Sequence, residues 1–178
     1  MLNQTLNNNL QVFFVTPYFC DDPNHIKGGY YLIQLAHLMK NYIFLVAGPY
    51  KANMELPNNI ILLGNVVDQK KLASYYSMSD LTLILSKRET FSMVVAESLC
   101  SGTPVVGFLA GAPEMISISK YSLFSEFGDL ESLKNNILLM LQKNYDRLAM
   151  SRESIEKYSK KNMFNQYYEI YDSMISKK

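Results

Sequence analysis

Short apolar runs alternate with segments of helical periodicity through the first two-thirds of this chain. Each run is rich in β-forming residues and too short for a helix, so it predicts a strand. The runs do not alternate with polar residues, which is typical of strands covered on both faces. We therefore expect an α/β fold with a parallel sheet of about six strands, right-handed crossovers and helices on both faces. The predicted strands are 12–15, 43–47, 60–63, 81–85, 104–107 and 122–124.

The segments between these runs carry apolar residues at helical spacing. Leu32, Leu35, Ala36 and Met39 repeat in this way and predict a helix over 29–41. Asp129 is a natural N-cap for a later helix with one apolar face. Further helices are predicted over 69–78, 91–100, 146–159 and 163–175, with a short helical turn beginning at Pro113 or Glu114.

Length and charge narrow the possible functions. The 178 residues suit one domain, with the polar residues 1–10 as a linker remnant and 11–178 as the folded unit. The net charge of +1 argues against a nucleic-acid partner, which would favour a basic face. No apolar run is long enough to span a membrane, and the Asn-rich start lacks a signal-peptide pattern. These features predict a cytoplasmic protein without a transmembrane segment.

The cysteines and histidines are few and scattered. Cys20 and Cys100 are the only cysteines, and their separation fits a reduced compartment better than a disulfide framework. His25 and His37 have no neighbouring cysteine with which to form a ligand cluster. The sequence therefore predicts structural histidines and no metal site.

The loop after the fourth predicted strand carries the most chemistry. Ligands of an open parallel sheet bind beyond the carboxyl ends of its strands, and residues 86–92 follow one such end and run into a helix. The amides of Thr90, Phe91, Ser92 and Met93 are candidate unpaired donors at that helix start, which attracts phosphate.

Two carboxylates accompany these donors. Glu89 lies just before the helix and Glu97 within it, eight residues apart, so both can line one side of the site. Carboxylates beside a diphosphate make sense when the ligand also offers hydroxyls, as a nucleotide sugar does. In the competing interpretation, Glu89 only favours the helix start, Glu97 is a surface residue, and Lys27 is a solvated loop lysine.

Familiar nucleotide-binding motifs are absent from the expected places. No G-x-G-x-x-G follows the first strand and no Walker A pattern occurs, which argues against a dinucleotide dehydrogenase and a P-loop NTPase. A sugar-nucleotide epimerase is also disfavoured, because two histidines provide little acid–base equipment.

An ordered series of motifs resembles retaining glycosyltransferase family 4. Residues 89–108, ETFSMVVAESLCSGTPVVGF, are similar to its E-x-F-G-x-x-x-x-E-A-x-x-x-G-x-P-V-V signature, and GAPE at 111–114 to its G-G-x-P-E. LGNV at 63–66, LASYYSMSD at 72–80, KG at 27–28 and the closing Tyr168 and Tyr171 resemble further family segments. The resemblance covers nearly the whole chain, and the series is far more specific than any single motif.

The resemblance implies a GT-B enzyme, in which two Rossmann-like domains face a cleft. This chain resembles the C-terminal, donor-binding half alone. The N-terminal acceptor-binding domain would come from the same or another chain. The implied donor is a nucleotide diphosphate sugar such as a UDP- or GDP-sugar, with no bound metal or other cofactor.

The resemblance also implies roles for particular residues. Glu97 would bind the donor ribose. The catalytic residues would be Glu89, which binds the hydroxyls of the transferred sugar, and Lys27, which neutralises the diphosphate. Asn65 and Val66 would lie near the nucleobase. The remaining implied donor-binding residues are Thr90, Phe91 and Ser92, whose amides would hold sugar and phosphates, together with Arg88 and Gly111.

The chain departs from the family pattern at several positions. The family commonly places Gly-Arg or Gly-Lys after the first strand, whereas this chain has VTPY at 15–18. Arg88 or Lys87 would compensate for that cation, or phosphate binding is weaker, or the loop is built differently. Ser92 and Ala112 replace usual glycines, and Leu85 stands where proline is usual.

Two functions follow from the resemblance. The first is donor binding for retaining hexosyl transfer to a glycan or lipid-linked acceptor, at the inner face of a membrane if the acceptor is a lipid, with this chain alone catalytically incomplete. The alternative is a non-catalytic nucleotide-binding module working with a separate acceptor-binding chain.

Overall fold

The computed structural model describes residues 10–175 and contains a six-stranded, wholly parallel sheet. The strand order is β3-β2-β1-β4-β5-β6, so the chain winds outward from β1 in one direction and then from β4 in the other. The predicted α/β fold is confirmed. The strands are β1 (Gln11–Val15), β2 (Ile43–Ala47), β3 (Ile60–Gly64), β4 (Leu81–Ile84), β5 (Val105–Phe108) and β6 (Ser122–Ser125).

Helices cover both faces of this sheet. They are α1 (Gly29–Leu38), α2 (Gln69–Met78), α3 (Met93–Cys100), α4 (Pro113–Ile116), α5 (Leu130–Gln142), α6 (Arg147–Tyr158) and α7 (Lys160–Ile175). No helix among residues 10–175 is long and apolar enough to cross a membrane. The linker prediction for residues 1–10 falls outside the described part of the chain, apart from Leu10.

The core lies on the two sides of β1. Val12 and Phe14 face a cluster that includes α1 and α5, while Phe13 between them faces Tyr76 of α2. Successive strand residues point to opposite faces, so an apolar run without alternation fills both cores. The periodic residues Leu32, Leu35, Ala36 and Met39 are all buried, as their spacing predicts.

Three predicted helix ends are wrong by two or three residues. Helix α1 ends at Leu38 instead of 41, where the side-chain amide of Asn59 donates to the carbonyls of Ala36, Met39 and Tyr42 at 3.0–3.2 Å. Helix α3 starts at Met93 instead of 91, and α7 at Lys160 instead of 163. Strand β5 likewise starts one residue after Pro104.

Candidate functional site

The candidate site lies at the carboxyl edge of the sheet, where the chain reverses its winding between β1 and β4. Crevices form at such switch points because neighbouring loops leave the sheet in opposite directions. The loop before α1 meets the loop after β4 there, and the Lys87 amide donates to the Ile26 carbonyl at 2.8 Å. This contact brings Lys27 against Glu89.

Gly28 allows the two loops to approach this closely. It adopts a left-handed backbone with φ of 71°, directly before α1. A Cβ at this position would lie 2.1 Å from the Leu85 carbonyl oxygen at the end of β4. The K-G pair therefore has a physical basis, because only glycine combines this φ with this contact.

Lys27, Glu89 and Ser86 form one polar cluster. The Lys27 ammonium lies 2.8 Å from Glu89 Oε1, and the Ser86 hydroxyl donates to that same oxygen at 2.7 Å. The Lys27 and Glu89 side chains are 23% and 18% exposed, so the pair is partly withdrawn from water without being sealed. Within the part of the chain that the structure describes, Oε2 of Glu89 makes no hydrogen bond, so it can accept one from a ligand.

A cavity of about 420 Å³ opens beside this cluster, lined by Lys27, Arg88, Glu89, Thr90 and Ala110. Arg88 thus shares one space with Lys27. Lys87 points elsewhere, with its ammonium 5.7 Å from the Phe127 ring centroid. Arg88 and Lys87 were the two candidates to replace the cation that the family commonly places after the first strand. The geometry favours Arg88.

Glu114 fixes the loop at Ala110, which also lines the cavity. Its carboxylate accepts from the Ala110 amide at 3.1 Å and from the Gly111 amide at 2.7 Å. The Ala110 carbonyl in turn accepts from the Glu89 amide at 3.0 Å. Gly111, with φ of 101°, therefore lies next to Glu89 in a loop held in place by one carboxylate.

The N-terminus of α3 differs in detail from the prediction. Ser92 is the N-cap in a left-handed conformation, with φ of 68°, and Met93 and Val94 supply the first helical amides. Thr90 and Phe91 precede the helix as exposed residues. Their amides are not part of a helix end, so the positive end of the α3 dipole begins later than the sequence suggested.

Glu97 has a different environment from Glu89. It is half-buried on α3, and its Oε2 accepts a hydrogen bond of 2.9 Å from the Tyr76 hydroxyl of α2. Burial, followed by the nearby Glu97 charge, raises the pKa of Tyr76 well above its usual range. Glu97 is not among the residues that line the cavity at Lys27.

A second cavity, of about 220 Å³, lies where β1, β2 and β3 end. Asn65 and Val66 line it together with Gly48, Pro17 and Leu72. The predicted site residues thus fall into three groups along one edge: the Lys27 cavity, Glu97 on α3, and the Asn65 cavity. Among residues 10–175, no group of three or more His, Cys, Asp or Glu side chains is placed to hold a metal ion.

Three supporting side chains were missed by sequence reasoning. Tyr76 was interpreted only as part of a predicted helix and of the LASYYSMSD segment, and Ser86 only as a loop residue. Glu114 was interpreted only as part of the GAPE motif and as a possible start of a short helical turn. Ser86 lies three residues before Glu89, a spacing at which one side chain can reach the other within a turn. The Tyr76 contact joins two helices and leaves no local signal in the sequence.

Comparison with known proteins places the chain in a family. The family model described as glycosyl transferases group 1 matches residues 15–143. N-acetyl-alpha-D-glucosaminyl L-malate synthase of Bacillus anthracis is 29% identical over 124 residues, covering 67% of this chain and 32% of that enzyme.

Solved structures show the same fold. The UDP complex of Anabaena HepE aligns with a TM-score of 0.73 and 20% identity, covering 97% of this chain and 51% of HepE. Sucrose-phosphate synthase of Thermosynechococcus elongatus aligns with a TM-score of 0.73 and 19% identity, covering 99% of this chain and 48% of the synthase. The chain spans about half the length of these solved proteins. On its sequence match and its Rossmann-like sheet, the chain belongs to the group 1 glycosyl transferases.

Proposed function

We propose that this chain binds a nucleotide diphosphate sugar and presents it for retaining hexosyl transfer. The observation that carries the proposal is the Lys27 cavity, where a cation and a carboxylate lie 2.8 Å apart beside Arg88 and Thr90, three residues before α3. A diphosphate requires cations, and the hydroxyls of a sugar require hydrogen-bond acceptors. This cavity offers both. Family membership and the UDP bound in the HepE complex support the same ligand class.

In this proposal the diphosphate binds between Lys27, Arg88 and the first turn of α3. During transfer the acceptor's hydroxyl oxygen bonds to the anomeric carbon, and the bond from that carbon to the leaving phosphate oxygen breaks. The electron pair of the broken bond stays on the diphosphate, whose negative charge grows, and the hydroxyl proton passes to the released diphosphate or to water. Placed cations and helix-terminal amides stabilise this growing charge more strongly than they stabilise the ground state. Glu89 binds sugar hydroxyls through Oε2, because Oε1 already accepts from Lys27 and Ser86.

The nucleoside is proposed to lie toward β3. Glu97 accepts from the ribose hydroxyls, and the base enters the cavity lined by Asn65 and Val66. The acceptor, a glycan or a lipid-linked sugar, binds a separate half supplied by the same or another chain. Transfer to it needs both halves, so this chain alone is proposed to bind donor without turnover.

Calorimetric titration with UDP- and GDP-sugars tests the proposal, and Glu97→Ala is the variant that tests the ribose contact. We expect saturable binding of at least one donor, weakened about 20-fold in Glu97→Ala because a charge-assisted hydrogen bond to the ribose is lost. Glu169→Ala, which removes an exposed carboxylate from α7, is the control and should bind as the parent does. No saturable binding by a folded chain would overturn the proposal.

Glu89→Gln distinguishes the binding contribution of the diphosphate from that of the sugar, the two ligand parts that are proposed to meet at Lys27. The substitution retains an oxygen for Ser86 but removes the charge that Lys27 now neutralises. We expect UDP alone to bind about threefold more tightly, because repulsion is relieved and Lys27 is released. The additional affinity of a UDP-sugar over UDP should fall, because neutral Gln accepts sugar hydroxyls more weakly. Weaker binding of UDP itself by Glu89→Gln would contradict this division of roles.

A further inference from the structure

Tyr76 is a fully buried phenol whose hydroxyl reaches the candidate site. It is 1% exposed, and its ring packs edge-on against Phe13 with centroids 4.9 Å apart. The Tyr76 carbonyl accepts from the Thr103 hydroxyl at 2.7 Å, just beyond the C-terminus of α3. Ring and backbone are therefore fixed independently of any ligand, and the hydroxyl is held at one point next to α3.

The hydrogen bond from Tyr76 has a defined direction. A carboxylate only accepts, so the phenol donates to Glu97 Oε2 at 2.9 Å. A neutral phenol remains the stable form in this buried position, because burial disfavours the phenolate. Glu97 cannot rotate freely while Oε2 is held, and within the described residues its Oε1 makes no hydrogen bond.

We propose that Tyr76 is a positioning residue that fixes the Glu97 carboxylate so that Oε1 accepts from the ribose hydroxyls of the donor. This inference rests on the proposed function, in which Glu97 is the ribose partner. A carboxylate held in advance loses less side-chain entropy when the nucleotide binds. The hydrogen bond between α2 and α3 also keeps the carboxylate oriented before any ligand binds.

The test is Tyr76→Phe, which keeps the ring against Phe13 and removes only the hydroxyl. We expect its affinity for UDP or GDP, whichever the parent binds, to fall about fivefold in calorimetry. The 2′,3′-dideoxy form of the same nucleotide should bind parent and Tyr76→Phe equally, because it has no hydroxyls for Glu97. In the Glu97→Ala background, Tyr76→Phe should add no further loss. A merely structural role of Tyr76 would change both comparisons, because Tyr76→Phe would then also weaken binding of the dideoxy nucleotide and add a loss in the Glu97→Ala background.

Tyr75→Phe is the matched control. Tyr75 precedes Tyr76 on α2 and its ring also contacts Phe13, with centroids 6.0 Å apart, but Glu97 accepts from Tyr76. Its nucleotide affinity should equal that of the parent, and thermal unfolding of both variants should show that each folds.

The outcomes separate this inference from the proposed function. If the parent binds and Glu97→Ala weakens binding while Tyr76→Phe does not, the positioning role is overturned and the proposed function stands. An equal loss for the dideoxy nucleotide would also overturn the positioning role. If the parent binds neither nucleotide, both are overturned.

Discussion

Lys27→Met is expected to weaken binding of a nucleoside diphosphate about 100-fold, because charge-assisted contacts to phosphate are lost. Methionine keeps most of the stem length of lysine and removes the ammonium. The Lys27 side chain is 23% exposed, so water screens its charge less than at an open surface. The measurement is calorimetric titration with UDP and GDP, compared with the parent chain.

A second lysine ion pair provides the control for Lys27. Lys51 pairs with Asp21 at 2.9 Å, as Lys27 pairs with Glu89, but more than half of its side chain is exposed. Lys51→Met should leave nucleotide affinity unchanged. Equal losses in the two variants would indicate a general charge effect, and an unchanged affinity in Lys27→Met would exclude Lys27 as a phosphate contact.

Gly28→Ala is expected to lower the free energy of unfolding by about 4 kcal/mol, the combined cost of a left-handed alanine and an overpacked contact. The Cβ would lie 2.1 Å from a backbone oxygen, which cannot turn aside as a flexible side chain would. Chemical denaturation measures the change, and the loop that carries Lys27 should separate from β4 as the clash is relieved.

Gly64→Ala measures the cost of a left-handed alanine without the cost of an overpacked contact. Gly64 has the same φ of 71°, but beyond its chain neighbours no described atom lies within 4 Å of the point that an alanine Cβ would occupy. We expect this variant to lose only about 1 kcal/mol, the cost of the left-handed backbone alone. Similar losses at both positions would show that the contact with Leu85 contributes little.

The strands were predictable because their signal is local. A run such as 43–47 is apolar at every residue, and a strand buried on both faces requires that pattern. The end of α1 was not predictable, because Asn59 sits 20 residues away from the Met39 carbonyl that it binds. Likewise, serine itself gives no sign of the left-handed conformation at Ser92 that delays α3, although the glycine usual there in the resembling family is consistent with it.

Part of the candidate site could likewise be predicted from the sequence and part could not. The position of Glu89 in a loop after a strand could be predicted, because the carboxyl ends of parallel strands lie at one edge of the sheet and ligands bind at that edge. The pairing of Lys27 with Glu89 spans 62 residues and depends on the close approach at Gly28. No spacing in the sequence carries that information, so the motif resemblance was needed to connect the two residues.

The hydrogen bonds to Glu114 determine which kind of chemistry the loop at Ala110 offers. The amides of Ala110 and Gly111 already donate to Glu114, so an arriving anion meets a loop whose donors are engaged by a carboxylate of its own chain. In the proposed function, selection for a negative ligand must then come from Lys27, Arg88 and α3. The proposed function therefore assigns the attraction of phosphate to Lys27, Arg88 and α3, and assigns to the loop at Ala110 only a contribution to the shape of the cavity.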